Sequence, residues 1–440
     1  MNANGTGSMI EGLFGPKPNP LAGITAHDVG PEIAAALELS APADGWPAFP
    51  KAALYGFLGD IVRAIEPHSE ADPAALAIST LTAAGNLLGP SVHCRVEESR
   101  HGLNLYAVLV GETSKARKGT SWGHVERLCA QVDESWAQDR VTGGLSSAEG
   151  LILEVRDSIE PPDPPLDRRL QLVQPEFASV LRTMTREGNT LSPTLRDAWD
   201  SGKLRTLVKT NPLRATGAHI SLVAHITRPE LLRYLSDTEH HNGFANRLLW
   251  CCVRRGKLLP EGGRVPDGQA QALAETLRGV KDWAQSLGEQ EIRRDEQARS
   301  LWAAVYPQLS AGLPGLLGAA TARAEAQVLR LSSLYAALDC STLVRVEHLR
   351  AALGVWDYCF ASARYIFGDA TGDPVADRIR EALRDAGENG LTRTEIRDLF
   401  RRHASADRIG QALNTLATMG VAERSIGATE GRSTERWTAT

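Results

Sequence analysis

Residues 104–110 read NLYAVLV, and residues 111–121 read GETSKARKGTS. The first run is short, almost continuously apolar and closed by a glycine, the pattern of a strand buried on both faces of a parallel sheet. The second leads straight into a helical pattern. A phosphate-binding loop needs backbone N–H groups curled round an anion, a helix N-terminus behind them, a lysine for the phosphates and a hydroxyl for Mg²⁺. Gly111, Lys118, Gly119 and Thr120 or Ser121 supply those parts. The reading is therefore strand, loop and helix around a site for ATP and Mg²⁺. Three departures accompany it. The Gly111-to-Lys118 spacing is one residue longer than the commonest form, Arg117 stands where a glycine usually precedes the lysine, and Gly119 separates the lysine from the hydroxyls. The plain alternative is a basic surface loop.

Outward from this stretch the period alternates. Strand patterns fall at residues 91–97, 170–174, 220–226 and 247–253, with helical stretches at 122–138 and 147–158 between them. Strands alternating with helices predict a doubly wound α/β core over residues 90–260. Residues 1–25 are Gly-, Asn- and Pro-rich and read as disordered. Residues 26–89 read as a helical region, with Pro31 opening one helix, a second over 57–65 and a third starting at Asp72-Pro73. Beyond Pro260, amphipathic helices at 268–287, 294–309, 319–338 and 348–367 predict a helical lid domain over 261–367. A linker, 368–374, leads to residues 374–440, which read as a winged helix. Its helices are expected at 374–386, 392–403 and 405–419, the second opened by the capping box Thr392-x-x-Glu395. Strands at 421–426 and 436–438 flank a glycine-rich wing, 427–431. Arg408 and Arg432 would lie near the third helix, yet acidic and basic residues nearly balance here, so DNA binding and protein docking both stay open.

Composition sets the outer limits. The chain has 440 residues, 42% hydrophobic and 23% charged, enough for two or three soluble globular domains. With 48 basic against 53 acidic residues the formal charge is −5, so any nucleic-acid contact must come from a local patch. The six cysteines form no CxxC pair and read as buried free thiols. The uncharged run 73–92 contains Ser79, Thr80, Thr82 and Asn86 and is too polar for a membrane span. No membrane partner and a reducing cytoplasm are expected.

Six segments together carry a resemblance: residues 111–121, 144–150 (GLSSAEG), 173–177 (VQPEF), 189–193 (NTLSP), 225–228 (HITR) and 243–248 (GFANRL). They resemble the RecA-like P-loop ATPases carried by phages, plasmids and integrated elements, which are similar to hexameric replicative helicases of the DnaB and RepA type. The resemblance spans residues 50–365 and implies an ATP-dependent DNA helicase or translocase. A P-loop ATPase needs one carboxylate on the metal side and another to orient the attacking water. By resemblance Glu176 takes the first role, with Pro175 in the usual aspartate's place, and Glu149 takes the second. His225 falls where a polar γ-phosphate sensor belongs, with Thr227 and Arg228 beside it. Arg247 would reach a neighbour's nucleotide, implying a ring oligomer, expected as a hexamer, and Arg323 is a second such candidate. Residues 190–205, with Lys203, Arg205 and Lys209, match the place of loops that touch single-stranded DNA.

Each assignment has a plainer counterpart. Glu149 and Glu176 could cap helices, His225 could be a hydrogen-bonded strand end, and Arg247 could lie at a solvated strand end. The 190–205 segment is also an ordinary amphipathic helix with a basic turn. The rival function is a nucleotide-binding regulatory or loader protein with weak ATPase that recruits replication partners.

Overall fold

The computed structural model describes residues 45–440 apart from 113–115, 159–165, 236, 369–370, 372, 402–403 and 428–433. The segment 1–25, the helix expected from Pro31, part of the 427–431 wing and Arg432 lie outside the described residues.

The apolar run becomes β1 (Tyr106–Gly111), buried over its whole length. With β2 (Val141–Thr142), β3 (Arg169–Gln174), β4 (His219–Thr227) and β5 (Leu248–Cys252) it forms one sheet in the order β2-β3-β4-β1-β5. All four pairings are parallel. Parallel strands cannot be joined by tight turns, so helices intervene and every strand's carboxyl end reaches the same edge. Lys118–Val132 follows β1, Ala148–Glu154 follows β2, Phe177–Met184 and Leu191–Asp200 follow β3, and Arg228–Tyr234 follows β4. The chain runs from β1 to the far edge, returns through β3 and β4, and then crosses to β5.

Three expected boundaries are corrected. The strand expected at 91–97 is Val92–Val96, and it stays out of the central sheet. It pairs antiparallel with Ser99–Gly102 and parallel with Gln290–Glu291. Its burial fades to exposure along its length, so it cannot sit between two strands with helices on both faces. The N-terminal helical region is no separate layer. Asp72 caps the helix Pro73–Leu88 as expected, and all but the first of that helix's residues are buried. Asn86 Nδ2 donates to the carbonyls of Leu170 (3.1 Å) and His219 (2.9 Å), and Trp136 Nε1 donates to Asn86 Oδ1 at 2.9 Å. The polarity that argues against a membrane span thus ties the helix to β3 and β4. Among the described residues no helix is long and apolar enough to cross a membrane.

The helical lid is the third correction. Helices expected at 268–287 and 294–309 appear as Asp267–Ser286 and Glu296–Leu309. The next, Ala324–Leu338, is buried almost all round. Its Arg330, fully buried, donates to Asn104 O (2.9 Å), Asn104 Oδ1 (2.7 Å) and Trp199 O (2.6 Å), and its guanidinium lies 3.7 Å from the Trp199 ring centre. Residues 45–311 and 320–366 accordingly belong to one compact unit.

The second unit comprises residues 312–319 and 367–440. In it the helices Pro374–Ala386, Arg393–Leu399 and Ala406–Thr418 alternate with Leu391–Thr392, Ala422–Gly427 and Thr434–Ala439 in the order helix, strand, helix, helix, strand, strand. The three strands form an antiparallel sheet. Ile379, Leu383, Ile396, Ile409, Leu413, Leu416 and Trp437 fill the core. The Thr392/Glu395 capping box forms as the sequence predicts. Five cysteines are free and buried, and Cys340 is free and exposed.

Candidate nucleotide site at the carboxyl edge of the sheet

Strand register decides what meets Gly111. In the parallel ladders Gly111 lies opposite Thr227, Leu109 opposite His225, and Gln174 opposite Ala224. The ends of β1 and β4 are therefore level; β3 stops three residues short of them, and Glu176, two residues past β3, emerges near that edge. Ser114 and Lys115 lie outside the described residues. The chain re-emerges through Arg117, whose backbone is left-handed (φ 55°, ψ 29°), and Lys118 opens a 15-residue helix. The amide dipoles of that first turn point toward the edge and favour an anion there. A side chain added at Gly119 would meet nothing described within 4 Å, so the first turn is open on that side.

Lys118 is half-buried. Burial holds its ammonium below the ordinary lysine value, against the pull of Glu230 and Glu176. His225 is 4% exposed; burial first, and then the Lys118 charge, push it down to about 4, so it is neutral at pH 7. Its Nε2 is buried and has no hydrogen-bond partner among the described residues. An unpaired buried ring nitrogen beside a lysine is costly unless a ligand completes it.

The carboxylates divide. Glu176 is exposed at the N-cap of Phe177–Met184, but its side chain makes no capping bond, so helix capping does not account for it. Glu149 is exposed in the first turn of Ala148–Glu154, where Ser147 Oγ caps by accepting from Gly150 N–H at 3.0 Å. β2 is three strand spacings from β1, roughly 14 Å, and Glu149 is not among the charges acting on Lys118. Glu230 takes the place beside the lysine. It closes a capping box with Thr227, whose Oγ1 donates to Glu230 Oε2 at 2.7 Å. The sequence signal was present in Thr227-Arg-Pro-Glu230, but a capping box alone names a helix start and not a site.

The two hydroxyls also separate. Ser121 is fully buried and donates to Lys118 O at 2.6 Å, which corrects its assignment to the nucleotide. Thr120 is exposed on the open side of the helix. The edge is walled by Tyr365, which donates to Glu112 Oε1 at 2.7 Å and lies under Arg228, 5.5 Å from ring centre to guanidinium. Arg228 itself donates to Ile366 O.

Arg247 is elsewhere, at the edge away from Gly111 and engaged within its own chain. Tyr106 pairs with Leu248, so Arg247 precedes the amino end of β5, at the edge opposite Gly111. Its side chain is 6% exposed and clamped within its own chain: Nη2 to Asp200 Oδ2 (2.5 Å), Nε to Asp200 Oδ1 (3.2 Å) and Nη1 to Gly243 O. Arg323, more exposed, shares Asp200 at 3.4 Å. The solvated strand-end alternative fails, because the residue is buried.

A cavity of about 850 Å³ opens at that opposite edge, bordered by Arg100, Arg168, Trp199, Lys203 and His219. Volume alone points there. The lysine, the orphaned imidazole and the helix N-terminus all lie at the carboxyl edge, where a parallel α/β sheet binds its ligands. Between β3 and β4 the chain also extends a hairpin, Lys203–Arg205 with Arg214–Thr216, that exposes Lys203, Arg205, Lys209 and, at 86%, Leu207. In the C-terminal unit Arg408 is held bidentate by Asp373. The exposed face of Ala406–Thr418 carries Asp407, Gln411, Asn414 and Thr415, and its one cation, Arg408, is the one paired with Asp373. No protein-family model matches this chain, and neither does any curated protein.

Proposed function

We propose that this chain binds and hydrolyses a Mg²⁺-bound nucleoside triphosphate, in the manner of a RecA-like P-loop ATPase, and uses it to move along single-stranded DNA. The observation that carries the reading is the meeting of Lys118, His225, Glu176 and Glu230 at the carboxyl ends of β1, β3 and β4, in a sheet of order 5-1-4-3-2. Lys118 and the amides behind it would hold the phosphates, and neutral His225 would hydrogen-bond a terminal phosphate oxygen without adding charge. Thr120 and Glu176 would hold the metal. This donor set, one exposed hydroxyl and a carboxylate, is all oxygen and suits Mg²⁺. Bound there, Mg²⁺ would neutralise charge building up on the phosphates. Glu230, and at greater reach Glu149, are the carboxylates able to orient water. The basic hairpin supports the DNA step, because Lys203, Arg205 and Lys209 are exposed on it while its acidic neighbour, Asp157, bonds Arg214 and Thr216 of the other strand.

A winged-helix reading of the C-terminal unit is consistent with its helix and strand order, but its third helix carries a single cation, Arg408, already neutralised by Asp373, which favours protein docking over DNA. The rival reading, a nucleotide-binding regulator or loader with weak ATPase, is supported by Arg247, whose pairing with Asp200 of its own chain competes with a role as the shared arginine of a hexameric ring. One comparison separates them. The protein should bind a fluorescent ATP analogue with Mg²⁺, lose that binding in Lys118→Ala, and hydrolyse ATP faster with single-stranded DNA. Binding that survives Lys118→Ala in a folded protein removes the site. Binding without DNA-stimulated turnover leaves the regulator.

A further inference from the structure

Arg117 occupies a backbone conformation that glycine adopts freely and arginine rarely does. Such a residue persists where the surroundings over-determine it. Among the described residues its side chain pairs with one carboxylate: Arg117 Nε is 2.6 Å from Glu70 Oε2, and the Glu70 side chain is only 13% exposed. Glu70 is anchored in turn. Its Oε1 accepts from Leu259 N–H at 2.9 Å, its own carbonyl accepts from Gly256 N–H at 3.0 Å, and Arg255 Nε lies 3.9 Å from Oε2. The Leu259 bond above all, then Arg117 and Arg255, hold its carboxyl below the usual range, so it is ionised at neutral pH. Two residues on, Asp72 Oδ2 accepts from Arg254 N–H at 2.9 Å. The 70–72 segment thus joins the chain leaving β5 to the turn that starts the phosphate-side helix.

From this geometry we infer that Arg117 is a positioning residue for Lys118, its ion pair with Glu70 holding the left-handed turn that aims the lysine and the first helical amides at the bound phosphates. The inference rests on the nucleotide-site reading above. Where glycine leaves such a loop free to move, this chain pins it through a side chain to the body of the fold. Pinning lowers the ordering cost at binding, because the turn is set before the ligand arrives.

The test is Mg²⁺-dependent binding of a fluorescent ATP analogue to the full chain and five variants, with thermal unfolding followed in parallel. Arg117→Gly relieves the backbone and removes the tether, so it should stay folded yet bind about tenfold more weakly. Glu70→Gln should weaken binding to a similar degree, and the double variant should be no worse than the poorer single one, the signature of a shared interaction. Arg117→Lys, which keeps a cation in reach of Glu70, should recover most of the affinity. Parent-like or tighter binding by Arg117→Gly would overturn the inference, since backbone shape alone would then matter. Tighter binding by Glu70→Gln would also overturn it, because a released Arg117 would be touching phosphate directly. Lys118→Ala tells the two failures apart: if it still binds, the site itself is wrong and the inference falls with it.

Discussion

Lys118 and Arg247 lie at opposite edges of one sheet, and their surroundings assign them opposite work. Lys118 faces an open edge with two carboxylates and a neutral histidine. Arg247 is spent on Asp200 and on the Trp199 ring, 5.8 Å away. Removing one partner of such a pair leaves the other poorly compensated. Because Asp200 keeps Arg323 and some exposure, Arg247→Ala should cost about 2–3 kcal/mol rather than the full penalty of a buried pair. Urea unfolding measures this, and a parent-like midpoint would contradict the role. A second consequence separates it from an arginine working in trans. Mixing Arg247→Ala with Lys118→Ala should restore no ATPase, whereas recovery on mixing would return the residue to a subunit interface.

Helix Ala324–Leu338 and the 203–216 hairpin carry the next two expectations. Arg330 joins that helix to Asn104, two residues before β1, and to the end of Leu191–Asp200 through three hydrogen bonds. Arg330→Met keeps much of the volume but orphans Asn104 and two carbonyls, so it should destabilise the larger unit by about 3 kcal/mol. Arg330→Lys should rescue little, because a point charge cannot replace a stacked planar fork. A denaturation midpoint unmoved by Arg330→Met would show that the contacts are dispensable. The hairpin has an electrostatic expectation. If Lys203, Arg205 and Lys209 each neutralise a phosphate of single-stranded DNA, the triple alanine variant should lower the slope of log K against log salt by about 2. A parallel loss of affinity with an unchanged slope would place DNA elsewhere.

For the molecule as a whole, two units and three histidines set the expectations. Cutting the chain after residue 370 should leave a folded protein that still binds nucleotide, since the larger unit ends at Ile366. An insoluble or non-binding product would mean that the larger unit depends on the tail. Acid sensitivity follows from His101, His219 and His225, all pushed from 6.5 to about 4, chiefly by burial. A histidine kept neutral in the fold contributes fully above the unfolded value near 6.5. As pH falls from there toward 4 the unfolded chain takes the proton first, and stability drops. For His219, which is buried and bonded to Gly85 O at 2.8 Å, the loss is up to about 3 kcal/mol. Unfolding curves between pH 7 and 4 should show the decline, and His219→Gln should flatten it. A pH-independent midpoint over that range would refute it.

Much of the α/β core could be read directly, because the signals were local. A continuous apolar run makes a doubly buried strand wherever it sits, Asp72-Pro73 and Thr392-x-x-Glu395 satisfy their own helix ends, and Lys118 needs only the preceding strand and following helix to be placed. What stayed hidden were properties of neighbours distant in sequence. Strand order removed Glu149 from the lysine by three spacings and brought Glu230 to it. Helical phase turned Ser121 inward and left Thr120 outside. Arg247 met Asp200, 47 residues away, and Arg117 met Glu70, also 47 residues away. A charged side chain states only that it requires a partner; whether that partner is water, a carboxylate of the same chain or a phosphate depends on which segments the sheet brings together.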